Sequence, residues 1–136
     1  MKKIVYNIGG VFEYENRYCY KNNLFNEKID HGQFTINGRS ALLQIISKIN
    51  DLNISKIYIP AFCCPSIVDC FQKSKLSTEF YEIDKNFNPK IIPGKNSAIL
   101  AINYFGKKTQ FIEKYRNSKN RNFVLIEDAT HNFLNK

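Results

Sequence analysis

Ala98-Ile99-Leu100-Ala101-Ile102-Asn103, a helical stretch from about Thr109 to Asn117, and Asn122-Phe123-Val124-Leu125-Ile126 together decide the fold. Both apolar runs are near-continuous rather than alternating, the pattern of strands covered on two faces. Between them, Phe111, Ile112 and Tyr115 fall on one side of a short helix. Two buried strands joined by a helix form a parallel pair with a crossover connection. The same alternation continues upstream. Thr78-Glu79-Phe80-Tyr81-Glu82-Ile83 reads as a strand, separated from the first run by a loop through Asn86, Pro89, Pro93 and Gly94. Lys56-Ile57-Tyr58-Ile59 is another, stopped by Pro60, with a helix expected from Pro65 that buries Ile67, Val68, Cys70 and Phe71. Ala41, Leu42, Ile45, Ile46, Ile49 and Leu52 recur at the spacing of one helical face, and Gln33-Phe34-Thr35-Ile36-Asn37 before them is a short strand candidate ended by Gly38. The expected fold is α/β, a three-layer α/β/α arrangement around a mostly parallel sheet.

The chain has 136 residues, room for one ordinary domain. Residues 33–136 carry the alternating pattern. Residues 1–32 read as an N-terminal arm, with Tyr6, Phe12, Tyr14, Tyr18, Tyr20 and Phe25 set between turn-like Gly9-Gly10 and Asn22-Asn23. No apolar run reaches the roughly 20 residues that span a bilayer, which argues against a membrane partner. The N-terminus lacks an apolar stretch of signal-peptide length. Lys and Arg number 20 against 12 Asp and Glu, a net charge of +8, but the lysines are scattered instead of forming the stripe expected of a nucleic-acid surface. Adjacent Cys63-Cys64 with Cys19 and Cys70 suggests free thiols in a reducing, cytoplasmic compartment. The cysteines lack C-x-x-C spacing, and His31 and His131 lie far from them in sequence, which argues against a metal site.

Open parallel sheets bind ligands beyond the carboxyl ends of their strands. Three features fall at such places. Gly38-Arg39-Ser40 turns into a helix whose free amides suit a phosphate, although a Gly turn followed by Ser is also an ordinary helix cap. Cys63 and Cys64 lead into the helix at Pro65, where a thiol is activated or simply packed. Glu127-Asp128-Ala129-Thr130-His131 ends the last strand, where a carboxylate can meet a cationic ring nitrogen or cap a following helix. There is no G-x-G-x-x-G or Walker sequence.

Taken in order, these features resemble the N-terminal part of the DegT/StrS-type sugar aminotransferases, fold type I enzymes that use pyridoxal phosphate. The residues that carry the likeness are Gly38-Arg39-Ser40-Ala41-Leu42, Ile59-Pro60-Ala61-Phe62, Tyr81-Glu82-Ile83-Asp84, Ala101-Ile102-Asn103-Tyr104-Phe105-Gly106 and Glu127-Asp128-Ala129-Thr130-His131. The opening Ile8-Gly9-Gly10-Val11-Phe12-Glu13 is also similar to the start of one branch of that family. The resemblance implies a partial fold type I large domain that ends before the lysine bonded to the cofactor, so no catalytic lysine is assigned here. It implies that Gly38, Arg39 and Ser40 hold the cofactor phosphate through backbone amides and hydroxyl. Asp128 would pair with the pyridinium nitrogen, His131 would contact the phenolic oxygen, and Cys64 falls where many members place a ring-stacking aromatic. The implied substrates are a nucleotide-linked keto-sugar and an amino donor such as glutamate, in polysaccharide biosynthesis, and the implied assembly is a homodimer once the fold is complete.

Alternatives are a non-catalytic remnant, a subunit completed by a separate chain, a basic nucleic-acid-binding module, or a thiol enzyme using Cys64. On the family pattern the strand at 33–37 lacks its late-coming neighbours. The expected core is therefore a four-stranded block (56–59, 79–83, 98–103 and 122–126) with a weakly anchored first strand.

Overall fold

The computed structural model describes residues 5–8, as backbone only, and residues 35–131. Five parallel strands form one sheet in the order β1-β5-β4-β2-β3, where β1 is Val5–Ile8, β2 Lys56–Pro60, β3 Ser77–Tyr81, β4 Ser97–Ile102 and β5 Val124–Asp128. Helix α1 (Gly38–Asn50) precedes β2, α2 (Pro65–Gln72) joins β2 to β3, and α3 (Gln110–Arg116) joins β4 to β5. The four strands expected to be contiguous are contiguous, and β4 at their centre is buried along its whole length.

Helices cover both faces of the sheet. Leu42, Ile45, Ile46 and Ile49 of α1 and Cys70 and Phe71 of α2 pack with Ile57, Ile59, Leu100, Ile102 and Ile126. On the opposite face Phe111 and Ile112 of α3 pack with Tyr81, Ile99, Ala101, Phe123 and Leu125. Neighbouring strand residues alternate between the two clusters, as the two-residue period of a strand requires. The layers also follow from crossover handedness. From β2 to β3 the chain steps one way across the sheet, and from β4 to β5 it steps the other way. A right-handed connection then needs α2 and α3 on opposite faces. The direction of winding reverses between β2 and β4, so the crevice beyond their carboxyl ends is the topological switch point.

Two expectations are corrected. Thr35, Ile36 and Asn37 are not a strand but an irregular entry to α1, with Ile36 95% exposed. Gln33 and Phe34, the rest of that expected strand, lie outside the described residues. The reason is local: Asn37 is the N-cap of α1, its side chain accepting from the Ser40 amide at 2.9 Å, and Thr35 Oγ1 donates to the Asn37 carbonyl at 2.9 Å. Capping and turn bonds win over sheet pairing for such residues. The second correction concerns residues 5–8. Expected within the arm, they are a strand paired with β5 in the register Val5↔Leu125 to Ile8↔Asp128. The block therefore has a fifth strand on that side. The rest of the arm, including Cys19, His31 and its aromatics from Phe12 onward, lies outside the described residues. No helix among the described residues is long and apolar enough to cross a membrane.

Candidate functional site

The carboxyl ends of β2, β4 and β5 supply three short segments to one rim: Ala61–Cys64, Asn103–Gly106 and Ala129–His131. A hydrogen bond spans the switch point directly, the Tyr104 hydroxyl donating to the Phe62 carbonyl at 2.5 Å. The Asn103 amide donates to the Asp128 carbonyl at 2.9 Å, tying the end of β4 to the end of β5.

The strand period separates the two acidic residues. Glu127 follows Leu125 onto the α3 face, and Asp128 follows Ile126 onto the face of α1 and α2. Glu127 is 1% exposed; Asn103 Nδ2 donates to its Oε1 at 2.8 Å, and Arg116 Nε on α3 lies 3.5 Å from Oε2. That separation is an ion-pair contact, longer than a good hydrogen bond, and it supplies the cation a buried carboxylate requires. Glu127 is structural. Asp128 is different. It is 6% exposed, and its Oδ1 accepts from the Thr130 amide and hydroxyl at 2.9 and 2.5 Å. Those bonds fix the carboxylate, while Oδ2 has no donor among the described residues. A nearly buried, oriented carboxylate oxygen without a donor is suited to a cationic N–H from a ligand.

Electrostatics link Asp128 to the β2–α2 turn. Burial pushes the Cys63 thiol up, and the neighbouring Cys64 and Asp128 push it further. Burial also raises the Tyr104 hydroxyl, with Cys63 and Asp128 adding to it. Cys64, one residue on, is the exposed N-cap of α2, its sulfur 3.1 Å from Ser66 Oγ. The hydrogen bonds from Ser66 hold its thiol below the ordinary range, and the charge of Arg39 helps. The charge of Arg39 is thus felt at Cys64 and that of Asp128 at Cys63.

At the start of α1 the described bonds divide the labour among Gly38, Arg39 and Ser40. Both the amide and the hydroxyl of Ser40 donate to Asn37 Oδ1, at 2.9 and 3.1 Å. The Gly38 and Arg39 amides, the first two of the helix, take part in no described hydrogen bond, as helix geometry leaves them. An anion at this end would be held by those two amides and the Arg39 side chain, with Ser40 engaged by the cap.

His131 accepts from the Phe105 amide at Nδ1, 3.3 Å away. In the neutral ring the proton then sits on Nε2, which is left as a donor. Phe62, Tyr104 and Phe105 belong to the segments that carry the family likeness, but the sequence assigns them no role. Phe62 stacks on Tyr104 (centroids 5.7 Å), Phe87 tilts against Tyr104 (5.3 Å), and Phe105 meets Phe87 edge-on (5.6 Å). This row crosses the switch point. Its only sequence signal was an aromatic pair at the end of a buried strand. Among the described residues, no group of three or more His, Cys, Asp and Glu side chains is placed to hold a metal ion.

Comparison with protein-family models, with curated proteins and with solved structures found no match.

Proposed function

We propose that this chain carries the phosphate-binding and ring-binding half of a pyridoxal-phosphate site, in an aminotransferase-like protein of the DegT/StrS sugar-modifying type. The observation that supports it most is Asp128, held by Thr130 at the end of β5 with one oxygen open, on the sheet face where α1 begins. The cofactor, when bound, supplies an electron sink for a carbanion at the substrate carbon. Asp128 Oδ2 would accept the ring N–H and favour the protonated ring. His131 would donate from Nε2 to the phenolic oxygen. The amides of Gly38 and Arg39 and the start of the α1 dipole take the phosphate. Cys64 would stand at the family's stacking position with a small thiol. The lysine bonded to the cofactor is not assigned to any residue of this chain. A nucleotide-linked keto-sugar and an amino donor such as glutamate are the substrates this reading implies, with a fold type I sheet and paired copies.

The test uses pyridoxamine 5′-phosphate, which lacks the aldehyde and cannot react with surface lysines. A carboxylate beside a pyridinium favours its charged form and raises its pKa. Ultraviolet titration of the bound ligand is expected to keep the protonated-ring spectrum to higher pH than the free ligand, and Asp128→Ala to abolish the difference. Identical titrations for free ligand, wild-type chain and variant would overturn the proposal.

A further inference from the structure

Asn103 stands one residue beyond β4 and is fully buried. It grips both acidic residues at the tip of β5. Its backbone amide donates to the Asp128 carbonyl at 2.9 Å, and its side-chain Nδ2 donates to Glu127 Oε1 at 2.8 Å. Asp128 is the last residue of β5 in register with either neighbour, opposite Ile102 of β4 and Ile8 of β1. Beyond it the ladder stops, and the roll of the strand tip is left to side chains. Adjacent strand residues point to opposite faces. Holding Glu127 on the α3 face therefore fixes the roll of the tip, and with it the direction of Asp128 on the other face.

This grip is a poor source of stability. The carboxylate of Glu127 is taken out of water, and the Arg116 guanidinium reaches it only at 3.5 Å, from a side chain that is itself 36% exposed. Among the described residues neither Asn103 Oδ1 nor Glu127 Oε2 meets a hydrogen-bond donor. Replacing a buried polar or ionic pair by apolar side chains of similar size is often neutral or stabilising. What the polar pair supplies and apolar residues would not is direction, because a hydrogen bond has a preferred geometry and a hydrophobic contact has none. On the other face of the tip, Asp128 Oδ1 takes the Thr130 amide at 2.9 Å and the Thr130 hydroxyl at 2.5 Å. Those two bonds require the carboxylate to keep one orientation.

We infer that Asn103 is a positioning residue for Asp128. Through Glu127 it keeps the Asp128 carboxylate on the face of α1 and α2, with Oδ1 on Thr130 and Oδ2 open. The use made of that orientation rests on the proposed function, whereas the grip itself rests on the bonds to Glu127 and Thr130 alone.

Amide hydrogen exchange, read by nuclear magnetic resonance on the full chain with no added ligand, tests this. The Thr130 amide reports the carboxylate, since it donates to Asp128 Oδ1. The double variant Asn103→Leu/Glu127→Met replaces both partners of the bond by apolar side chains of similar size. Its Thr130 amide is expected to exchange about tenfold faster or more, the scale of one hydrogen bond to a charged group, with the urea unfolding midpoint not reduced. Glu127→Gln removes the charge but keeps an acceptor for Asn103 Nδ2, and it is expected to retain wild-type protection at Thr130. Unchanged Thr130 exchange in the double variant would overturn the inference. So would an equal loss of protection in Glu127→Gln, which would trace the effect to charge alone. A lowered midpoint in the double variant would overturn it too, because the pair would then be merely structural. No cofactor or analogue enters these measurements, so their outcome is separate from that of the pyridoxamine phosphate experiment.

Discussion

Cys63 and Cys64 are chemically alike and adjacent, yet their surroundings push them in opposite directions. Ser66 and Arg39 favour the Cys64 thiolate, whereas burial and the Asp128 charge disfavour that of Cys63. Alkylation by iodoacetamide near neutral pH is expected to modify Cys64 first, Cys63 more slowly, and buried Cys70 last. The Cys64 rate should rise with pH and level off below the pH where an ordinary thiol does. Ser66→Ala removes the main stabiliser of the thiolate and should move that plateau to higher pH. Mass spectrometry of the alkylated peptides reads the order, and faster labelling of Cys63 would contradict it. The sequence shows the pair but not the difference, since adjacency says nothing about which sulfur faces water. Asp128 shows the same limit. The acidic tip of a buried strand is plain in the sequence. That Glu127 turns to Arg116 while Asp128 turns to α1 depends on where β5 ends, and the strand runs through Asp128 instead of stopping at Ile126.

At the level of elements, the strand–helix alternation from residue 56 onward was legible because buried parallel strands and amphipathic helices leave different periods in the sequence. The two departures have separate causes. Thr35-Ile36-Asn37 has the apolar content of a strand, but a capping Asn decides its geometry, and that competition is visible only when the Asn37–Ser40 bond is seen. Val5–Ile8 is too short to show a period of its own, and its strand character comes from pairing with β5, a contact far off in sequence. The cap is therefore a measurable contribution. Asn37→Ala removes the acceptor for both donors of Ser40, and it is expected to lower stability by about 1 kcal/mol, with 0.5–2 as the range for lost N-caps. Urea denaturation followed by circular dichroism checks this, and an unchanged midpoint would mean that Asn37 does not hold the start of α1. Asn37→Asp should keep most of the stability, because its carboxylate accepts the same bonds.

For the molecule as a whole, winding direction matters more than any single motif. β1 through β3 progress across the sheet with α1 and α2 on one face, while β4 and β5 return with α3 on the other. This reversal gathers the ends of β2, β4 and β5 on one rim and brings the start of α1 beside them, although the contributing residues span positions 38 to 131. The Tyr104–Phe62 bond and the Phe105–His131 bond stitch that rim together. The sequence order of the motifs hinted at such a gathering, but an alternation of strands and helices is compatible with several strand orders. The pairing of β2 with both β3 and β4, and of β5 with both β4 and β1, selects this one. The functional reading requires that Gly38–Arg39 and Asp128–Thr130 serve one ligand. Amide nuclear magnetic resonance during titration with pyridoxamine 5′-phosphate measures this directly. The Gly38, Arg39 and Thr130 signals are expected to move together on a single binding curve, with Asp128→Ala weakening the response at all three. Movement at only one of the two places, or separate curves for each, would contradict the account.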